Sequence, residues 1–159
     1  MSIRVNHFQT IPSLMKALSE ASMASQKSSL DRDIKSLVEI RASQLNNCAF
    51  CLDMHVKQAK LGGERELRIY HLAIWRESPL FSAKEKAALA LTEALTRISE
   101  QGISDALYQE VQAHFSDVEI SELTFAIGTI NVWNRLQILS RMLPGSLDKA
   151  YGLDRAMLE

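Results

Sequence analysis

Signals for the start of a helix recur along this chain, and a sustained alternation of apolar and polar residues, the mark of strands, is missing. Ser82 is followed three positions later by Glu85, and Ser116 by Glu119. This spacing is typical of a capping box, in which two side chains satisfy free backbone amides at a helix start. Ala, Leu, Glu, Lys and Gln, which favour helices, dominate between these signals. The pattern predicts an all-α fold.

Caps, prolines and glycines set the expected helix boundaries. We predict helices over 12–26, from a cap at Ser29 or Asp31 to Leu45, from an N-cap at Asn47 to Gly62, and over 64–76, 83–100, 104–114 and 116–142. The last helix is apolar on nearly every face in its middle, and a domain of this size covers such a helix with difficulty on its own. We therefore expect a homo-oligomer that assembles through helix packing.

The size and balance of the chain are those of one globular domain. It has 159 residues, of which 47% are hydrophobic and 23% charged, enough to bury a substantial core. We predict a single helical bundle over residues 1–159, with a core at about 10–142. The tail over 143–159 reads as a weak helix that forms an arm or frays.

Charge and hydropathy argue against several function classes. The 18 basic and 19 acidic residues give a net charge of −1, which leaves no electrostatic footprint for nucleic acid or an anionic membrane. The N-terminus lacks the pattern of a secretory signal. The longest apolar stretch, Leu123 to Asn134, is shorter than the roughly 20 residues of a membrane-spanning helix. We expect a soluble, cytoplasmic protein.

The two cysteines, Cys48 and Cys51, form a C-x-x-C motif that His55 follows four positions later. On a helix these spacings place both sulfurs and the imidazole on one face. The helix dipole, the free amides of the first turn and the nearby base all favour thiolate over thiol. A thiolate can attack a peroxide to give a sulfenic acid, which the second cysteine converts to a disulfide. The motif predicts thiol redox chemistry.

We assign Cys51 as the attacking thiol, because His55 is its i+4 neighbour, and Cys48 as the resolving thiol. The reverse order stays open, since the helix dipole favours the cysteine nearest the helix start. A zinc site is the alternative for a C-x-x-C motif, but zinc needs four ligands. Only the scattered His7, His71 and His114 remain to complete them. We expect no bound metal.

Three stretches of the sequence resemble the AhpD-like alkylhydroperoxidase branch of the carboxymuconolactone decarboxylase superfamily. They are RASQLNNCAFCLDMHVKQAKLGGE, AIWRESPLFSAKEKAALALTEALT and ELTFAIGTINVWNRL. The most specific part is C-x-x-C-x-x-x-H after S-Q-x-N-x. The resemblance covers most of residues 10–140 and implies an all-helical fold in trimers or hexamers. It also implies a peroxidase with a Glu–Cys–His proton relay. For a cycle of this kind we expect a dithiol or thioredoxin-like reductant and no bound cofactor.

The sequence departs from the family pattern at the expected glutamate. In the family this carboxylate stands twelve positions before the first cysteine, where this chain has Ser36. Glu39 lies one helical turn closer to the cysteines, and we expect its carboxylate to reach His55 or Cys51. The alternative is an ion pair of Glu39 with Arg41 or Lys35, which would leave the relay incomplete.

The stretch from Asn131 to Arg135 matches the family's N-x-W-N-R pattern. Asn131 and Asn134 share a helix face, and we treat them as candidates that orient His55 or a bound peroxide. The alternative is that they are a hydrogen-bonded packing device inside a buried helix.

Two other functions compete with the peroxidase. A lactone decarboxylase of the superfamily does not need two cysteines. A non-enzymatic helical oligomer would use disulfide formation for redox sensing or scaffolding.

Overall fold

In the computed structural model of the chain, which describes residues 3–156, all regular secondary structure is helical. The predicted all-α class is therefore confirmed. None of the helices in this range is long and apolar enough to cross a membrane. In chain order the α-helices are α1 His7–Thr10, α2 Pro12–Gln26, α3 Arg32–Leu45, α4 Ala49–Leu61, α5 Glu66–His71, α6 Ala83–Thr96, α7 Asp105–Gln112, α8 Asp117–Ser140 and α9 Asp148–Tyr151, with 3₁₀ turns at Leu72–Ile74 and Asp154–Ala156.

The predicted helix starts are largely confirmed. Both capping boxes are formed, at the heads of α6 and α8. Of the two candidates for the start of α3, Asp31 is the cap and accepts the backbone N–H groups of Asp33 and Ile34. Ser29 instead donates its hydroxyl to Glu122 on α8, at 2.8 Å. The side chain that caps a helix thus depends on which competing partner is within reach.

Several helix ends differ from the prediction. The helix expected over 83–100 ends at Thr96, because Arg97 leaves the helical conformation with φ −120° and ψ 63°. α8 ends at Ser140, where Arg141 takes the left-handed conformation with φ 56°. The segment predicted as one helix over 64–76 is α5 followed by a 3₁₀ turn. Each end is set by a local turn that apolar periodicity does not mark.

α3 is the central helix and packs against α4, α6 and α8. Ile34 and Val38 join a core cluster with α6 and α8, while Leu37 and Ile40 join a second cluster. The first two residues are four positions apart and the second two are three apart, so each pair lies on one face of the helix, and the two faces adjoin. A further face of α3, which carries Glu39, is left to border a cavity.

The described part of the C-terminal tail is packed, so the prediction of an arm or a frayed helix is wrong for it. Leu153 and Ala156 are buried, with 4% and 3% of their surface exposed. α9 ends at Gly152, whose φ of 65° suits a residue without a side chain. The prediction failed because the apolar residues that anchor the tail are too few to show a period. Residues 157–159 lie outside the described residues.

α8 buries only part of its apolar surface within the chain. Val118, Phe125, Val132 and Leu139 follow one another at intervals of seven residues and are between 44% and 62% exposed. Residues seven apart lie on the same face of a helix. We call these four residues the α8 stripe.

Glu119 in the capping box of α8 should make the free energy of unfolding depend on pH. The Lys84 ammonium, at 2.8 Å, and then the N–H and hydroxyl of Ser116 lower the pKa of Glu119 from 4.5 to about 2. Because the folded pKa is depressed, the carboxylate contributes stability above pH 4.5 and loses it as the pH falls through 2. We expect Glu119→Gln to lower the free energy of unfolding by about 1 kcal/mol at pH 7.

Urea unfolding between pH 7 and pH 3 measures this effect. The gap between the two proteins should shrink as the pH falls below 4.5, and Glu110→Gln, at an exposed position on α7, is the control. A gap that is the same at pH 7 and pH 3 would mean that ionisation of Glu119 contributes nothing.

Candidate active site

The junction between α3 and α4 differs from its prediction. Asn47 is not the N-cap of α4; it lies one residue earlier, in the left-handed conformation with φ 56°, which asparagine tolerates well. Cys48 is the N-cap, and its Sγ accepts the backbone N–H of Cys51 at 3.4 Å. Cys48 therefore stands just before the first helical turn, at the positive end of the helix dipole.

Cys48 and Cys51 are joined by a disulfide, with their Cα atoms 5.4 Å apart. Both are buried, with 2% and 1% of their surface exposed. Cys51 borders a cavity that Cys48 does not line. Within residues 3–156, no group of three His, Cys, Asp or Glu side chains is arranged to hold a metal ion.

His55 lies close to the carboxylate that we expected to replace the family glutamate. Its Nδ1 is 3.3 Å from Oε2 of Glu39, and the two side chains are only 10% and 19% exposed. The other carboxylate oxygen of Glu39 accepts a hydrogen bond from Nε2 of Gln26, on α2, at 2.8 Å. Ser36 borders the same cavity. The structure thus brings Glu39 and His55 together across α3 and α4.

The ion pairs that would compete for Glu39 are not formed. Arg41 donates to Glu93, with Nη2 at 2.6 Å from Oε1. Lys35 is buried, and its Nζ donates to backbone carbonyls at the end of α2, including that of Gln26 at 3.2 Å. With both cations engaged elsewhere, the carboxylate of Glu39 is available to His55.

The partner of Arg41 is held in its ionised form. Burial raises the pKa of Glu93, but hydrogen bonds from Trp75, Arg76 and Arg41 outweigh burial, so that the pKa is lowered overall. Nε1 of Trp75 lies 2.9 Å from Oε1 of Glu93. An ionised Glu93 keeps the guanidinium of Arg41 on the far side of α3 from His55.

Sequence reasoning missed a second partner of His55. Nδ1 also lies 2.9 Å from Oε1 of Gln58, one turn further along α4. The i+3 spacing on one helix face was a signal for this contact. Both neighbours of Nδ1, the Gln58 amide oxygen and the Glu39 carboxylate, are acceptors, so we assign the proton of the neutral imidazole to Nδ1, which leaves Nε2 to accept one.

Asn131 and Asn134 make their hydrogen bonds away from His55. The side-chain oxygens of both accept from Nδ2 of Asn46, at 2.9 and 2.8 Å. Nδ2 of Asn134 donates to Ser43, at 3.1 Å. These bonds tie the end of α3 to α8, one residue before the left-handed turn. In the described structure they correspond to the packing alternative, in which the two amides hold the junction that carries Cys48.

The cavity beside Cys51 has a volume of about 700 Å³, within the range of small-molecule sites in proteins. Glu39, His55 and Gln58 form a polar part of its wall. Its apolar wall is formed by Phe8, Phe50, Met54, Ile130, Trp133 and Leu147. Trp133 is fixed there by a hydrogen bond from its Nε1 to Ser22, at 2.8 Å. The cavity thus has an apolar wall on one part of its surface, and the sulfur-bearing Cys51, the imidazole and the carboxylate on another.

The model of the carboxymuconolactone decarboxylase family matches residues 11–94, more than half of the chain. The chain belongs to this family. Within it, the AhpD-like resemblance is also confirmed by a solved structure at 39% identity with which this family member shares its fold.

Relatives of this family member include proteins without an established activity. The uncharacterized protein YdfG of Bacillus subtilis is 41% identical over 138 residues, which cover 87% of this chain and 94% of YdfG. A protein of unknown function from Agrobacterium tumefaciens, for which an AhpD-type antioxidant role has been suggested, has a TM-score of 0.86 and 39% identity. That match covers 90% of this chain and 98% of the other.

A more distant structure supports the fold alone. The alkylhydroperoxidase AhpD core of an uncharacterized peroxidase-related protein from Ralstonia eutropha has a TM-score of 0.77 at 15% identity. The match covers 87% of this chain and 74% of that protein. The helical framework is therefore kept while most side chains differ.

Proposed function

We propose that this AhpD-like family member is a thiol-dependent peroxidase, which reduces hydroperoxides through a dithiol/disulfide cycle of Cys48 and Cys51. The observation that carries the proposal is that Cys51, His55 and Glu39 border one cavity, with the imidazole and the carboxylate 3.3 Å apart. A thiol, a base and a group that orients the base are the parts of an activated nucleophile.

The cycle starts from the two reduced thiols. Nε2 of His55 takes the proton of Cys51, and the thiolate attacks the terminal oxygen of the hydroperoxide. The O–O bond breaks, the alcohol leaves with a proton from His55, and Cys51 becomes a sulfenic acid. Cys48 then loses its proton, its thiolate attacks the sulfur of Cys51, and the hydroxide that leaves takes up that proton as water. The product of this half-cycle is the disulfide that the structure contains.

Glu39 acts through His55. A carboxylate 3.3 Å from Nδ1 stabilises the imidazolium formed when Nε2 takes the thiol proton, as the third member of a triad does. Gln26 holds the other carboxylate oxygen, which limits rotation of the Glu39 side chain. An external dithiol returns the pair to the reduced state, and the cycle needs no bound cofactor.

Sustained turnover is the test of this proposal. The protein is mixed with excess dithiothreitol and a hydroperoxide, and peroxide loss is followed against a blank without protein. Many equivalents of peroxide consumed per protein are the expected result. A single equivalent followed by a stop would identify a redox switch that oxidises once.

The apolar wall of the cavity predicts a preference for bulky hydroperoxides. Burying the apolar part of cumene hydroperoxide contributes on the order of 25 cal/mol per Å², whereas hydrogen peroxide buries none. We expect kcat/KM for cumene hydroperoxide to exceed that for hydrogen peroxide by about tenfold or more. Steady-state rates with the two substrates measure the ratio, and a ratio of one or less would mean that the cavity does not bind the substrate.

We also propose a homo-oligomer, a trimer or a hexamer, in the cell's cytoplasm. The α8 stripe supports it, because a row of large apolar side chains that are half exposed in one chain is the usual mark of a protein contact. A dithiol or thioredoxin-like reductant is the partner that the chemistry requires.

A further inference from the structure

The Cys48–Cys51 disulfide lies against the segment that follows α8. Met142 and Leu147 pack against the small cluster that the two cysteines form with Phe50. The two cysteines are nearly inaccessible, at 2% and 1% exposure. Cys51 borders the cavity but Cys48 does not, so a reductant that attacks the sulfur of Cys48 must first displace the apolar side chains packed against this cluster.

Polar contacts fasten these C-terminal residues to α4. Nζ of Lys57 lies 2.7 Å from Oδ2 of Asp148 and 2.8 Å from Oδ2 of Asp53. Asp53 also accepts the backbone N–H of Gly145, at 2.9 Å. The side chain of Lys57 is only 12% exposed. Hydrogen bonds to Asp148 and then Asp53 raise the pKa of Lys57, so its ammonium is charged at neutral pH.

We propose that residues 142–148 are a cover over the Cys48 side of the disulfide, which the Asp53–Lys57–Asp148 clamp keeps closed and which must open before a dithiol can attack Cys48. The inference rests on the proposed function, because that function requires the reduction step. It adds that access to the disulfide is governed by the C-terminal segment. The cover therefore controls the reductive half of the cycle.

The chemistry of reduction explains why a cover would matter. A thiolate of the dithiol attacks the sulfur of Cys48, the Cys48–Cys51 bond breaks with Cys51 leaving as a thiolate, and a mixed disulfide with Cys48 forms. The second thiol of the reductant then releases the protein, and one dithiol becomes a disulfide while two protein thiols form. The attack requires access to the sulfur, which the side chain of Leu147 restricts.

The cover is held at both of its ends by packed parts of the chain. It begins directly after α8, and Leu153 and Ala156 anchor the chain beyond it. Gly145 lies within the cover with φ 74°, a conformation that glycine adopts without strain. Local opening of such a short segment breaks few contacts and leaves the core intact.

The test is the rate at which dithiothreitol reduces the oxidised, full-length protein, with alkylation and mass spectrometry counting the free thiols. Asp148→Asn removes the partner of Lys57, and Leu147→Ala shortens the side chain above the sulfurs. We expect each change to speed reduction by about fivefold or more, since a loss of about 1 kcal/mol from the closed state raises the open fraction by that factor.

Asp154→Asn is the matched control, because it makes the same change of charge at an exposed position just beyond the cover. It should reduce at the rate of the unchanged protein. If Asp148→Asn and Leu147→Ala also reduce at that rate, or more slowly, the cover is not the barrier and the proposal is overturned.

A second measurement uses the unchanged protein, so it does not depend on whether the variants fold. Amide hydrogen exchange at Gly145, whose N–H is bonded to Asp53, should be faster than exchange in the middle of α4. Protection of Gly145 equal to that of α4 would contradict an opening cover. Neither readout uses a peroxide, so failure of the peroxidase proposal and failure of the cover are distinguishable.

Discussion

Replacing Cys51 with serine should lower hydroperoxide turnover by about three orders of magnitude or more, because a hydroxyl is not ionised near neutral pH and cannot attack the O–O bond. Steady-state peroxide consumption with dithiothreitol measures the loss. The remaining sulfur of Cys48 does not border the cavity, so we do not expect it to take over. Turnover that persists in Cys51→Ser would show that Cys51 is not the attacking thiol.

The matched variant Cys48→Ser separates attack from resolution. Pre-reduced and freed of dithiothreitol, it should consume one equivalent of peroxide and then stop, because the sulfenic acid at Cys51 has no thiol to condense with. Trapping with dimedone and mass spectrometry should place the label on Cys51. A label on Cys48 in the Cys51→Ser protein, with none on Cys51 in Cys48→Ser, would reverse the assignment.

Replacing Glu39 with glutamine should lower kcat/KM by about 10²-fold, within the range that general acid–base groups contribute. The change keeps the size of the side chain and its reach to Gln26, but it removes the charge that stabilises a protonated His55. We expect the loss mainly in kcat, because Glu39 contacts His55 rather than the apolar wall. Rates at several hydroperoxide concentrations separate kcat from KM.

Two further variants make the Glu39 prediction specific. Asp33→Asn removes another carboxylate of α3 that borders the cavity, and it should leave kcat unchanged. Ser36→Glu, added to Glu39→Gln, returns a carboxylate to the cavity at the position where the family pattern has one, and it should restore part of the rate. If Glu39→Gln matches the unchanged protein, another group carries the proton and the relay is wrong.

The sequence was sufficient for features that depend on neighbouring residues. Capping boxes join residues three positions apart, and the two cysteines and His55 lie on one helix face in successive turns. Such contacts follow from helix geometry once a segment is helical. The all-α fold and the family were therefore predictable, and so was the presence of a redox pair.

The boundary between α3 and α4 at Asn47 depends on a contact that is distant in sequence. Asn46 and Asn47 both favour a helix boundary, and sequence patterns alone do not choose between them. The amides of Asn131 and Asn134 bind Asn46 from α8, which leaves Asn47 to take the left-handed conformation. The contact that decides the boundary comes from a helix more than eighty residues away.

The sequence by itself determined the helices, the C-x-x-C-x-x-x-H stripe and the chemistry that this stripe permits, because all of these arise within one or two helical turns. Only the tertiary structure decided that Glu39 faces His55, that Gln26 binds Glu39, and that Leu147 packs against the cysteine cluster. These contacts join separate helices. Their geometry is set by how the faces of α2, α3, α4 and the C-terminal segment pack together, and packing is a property of the whole core.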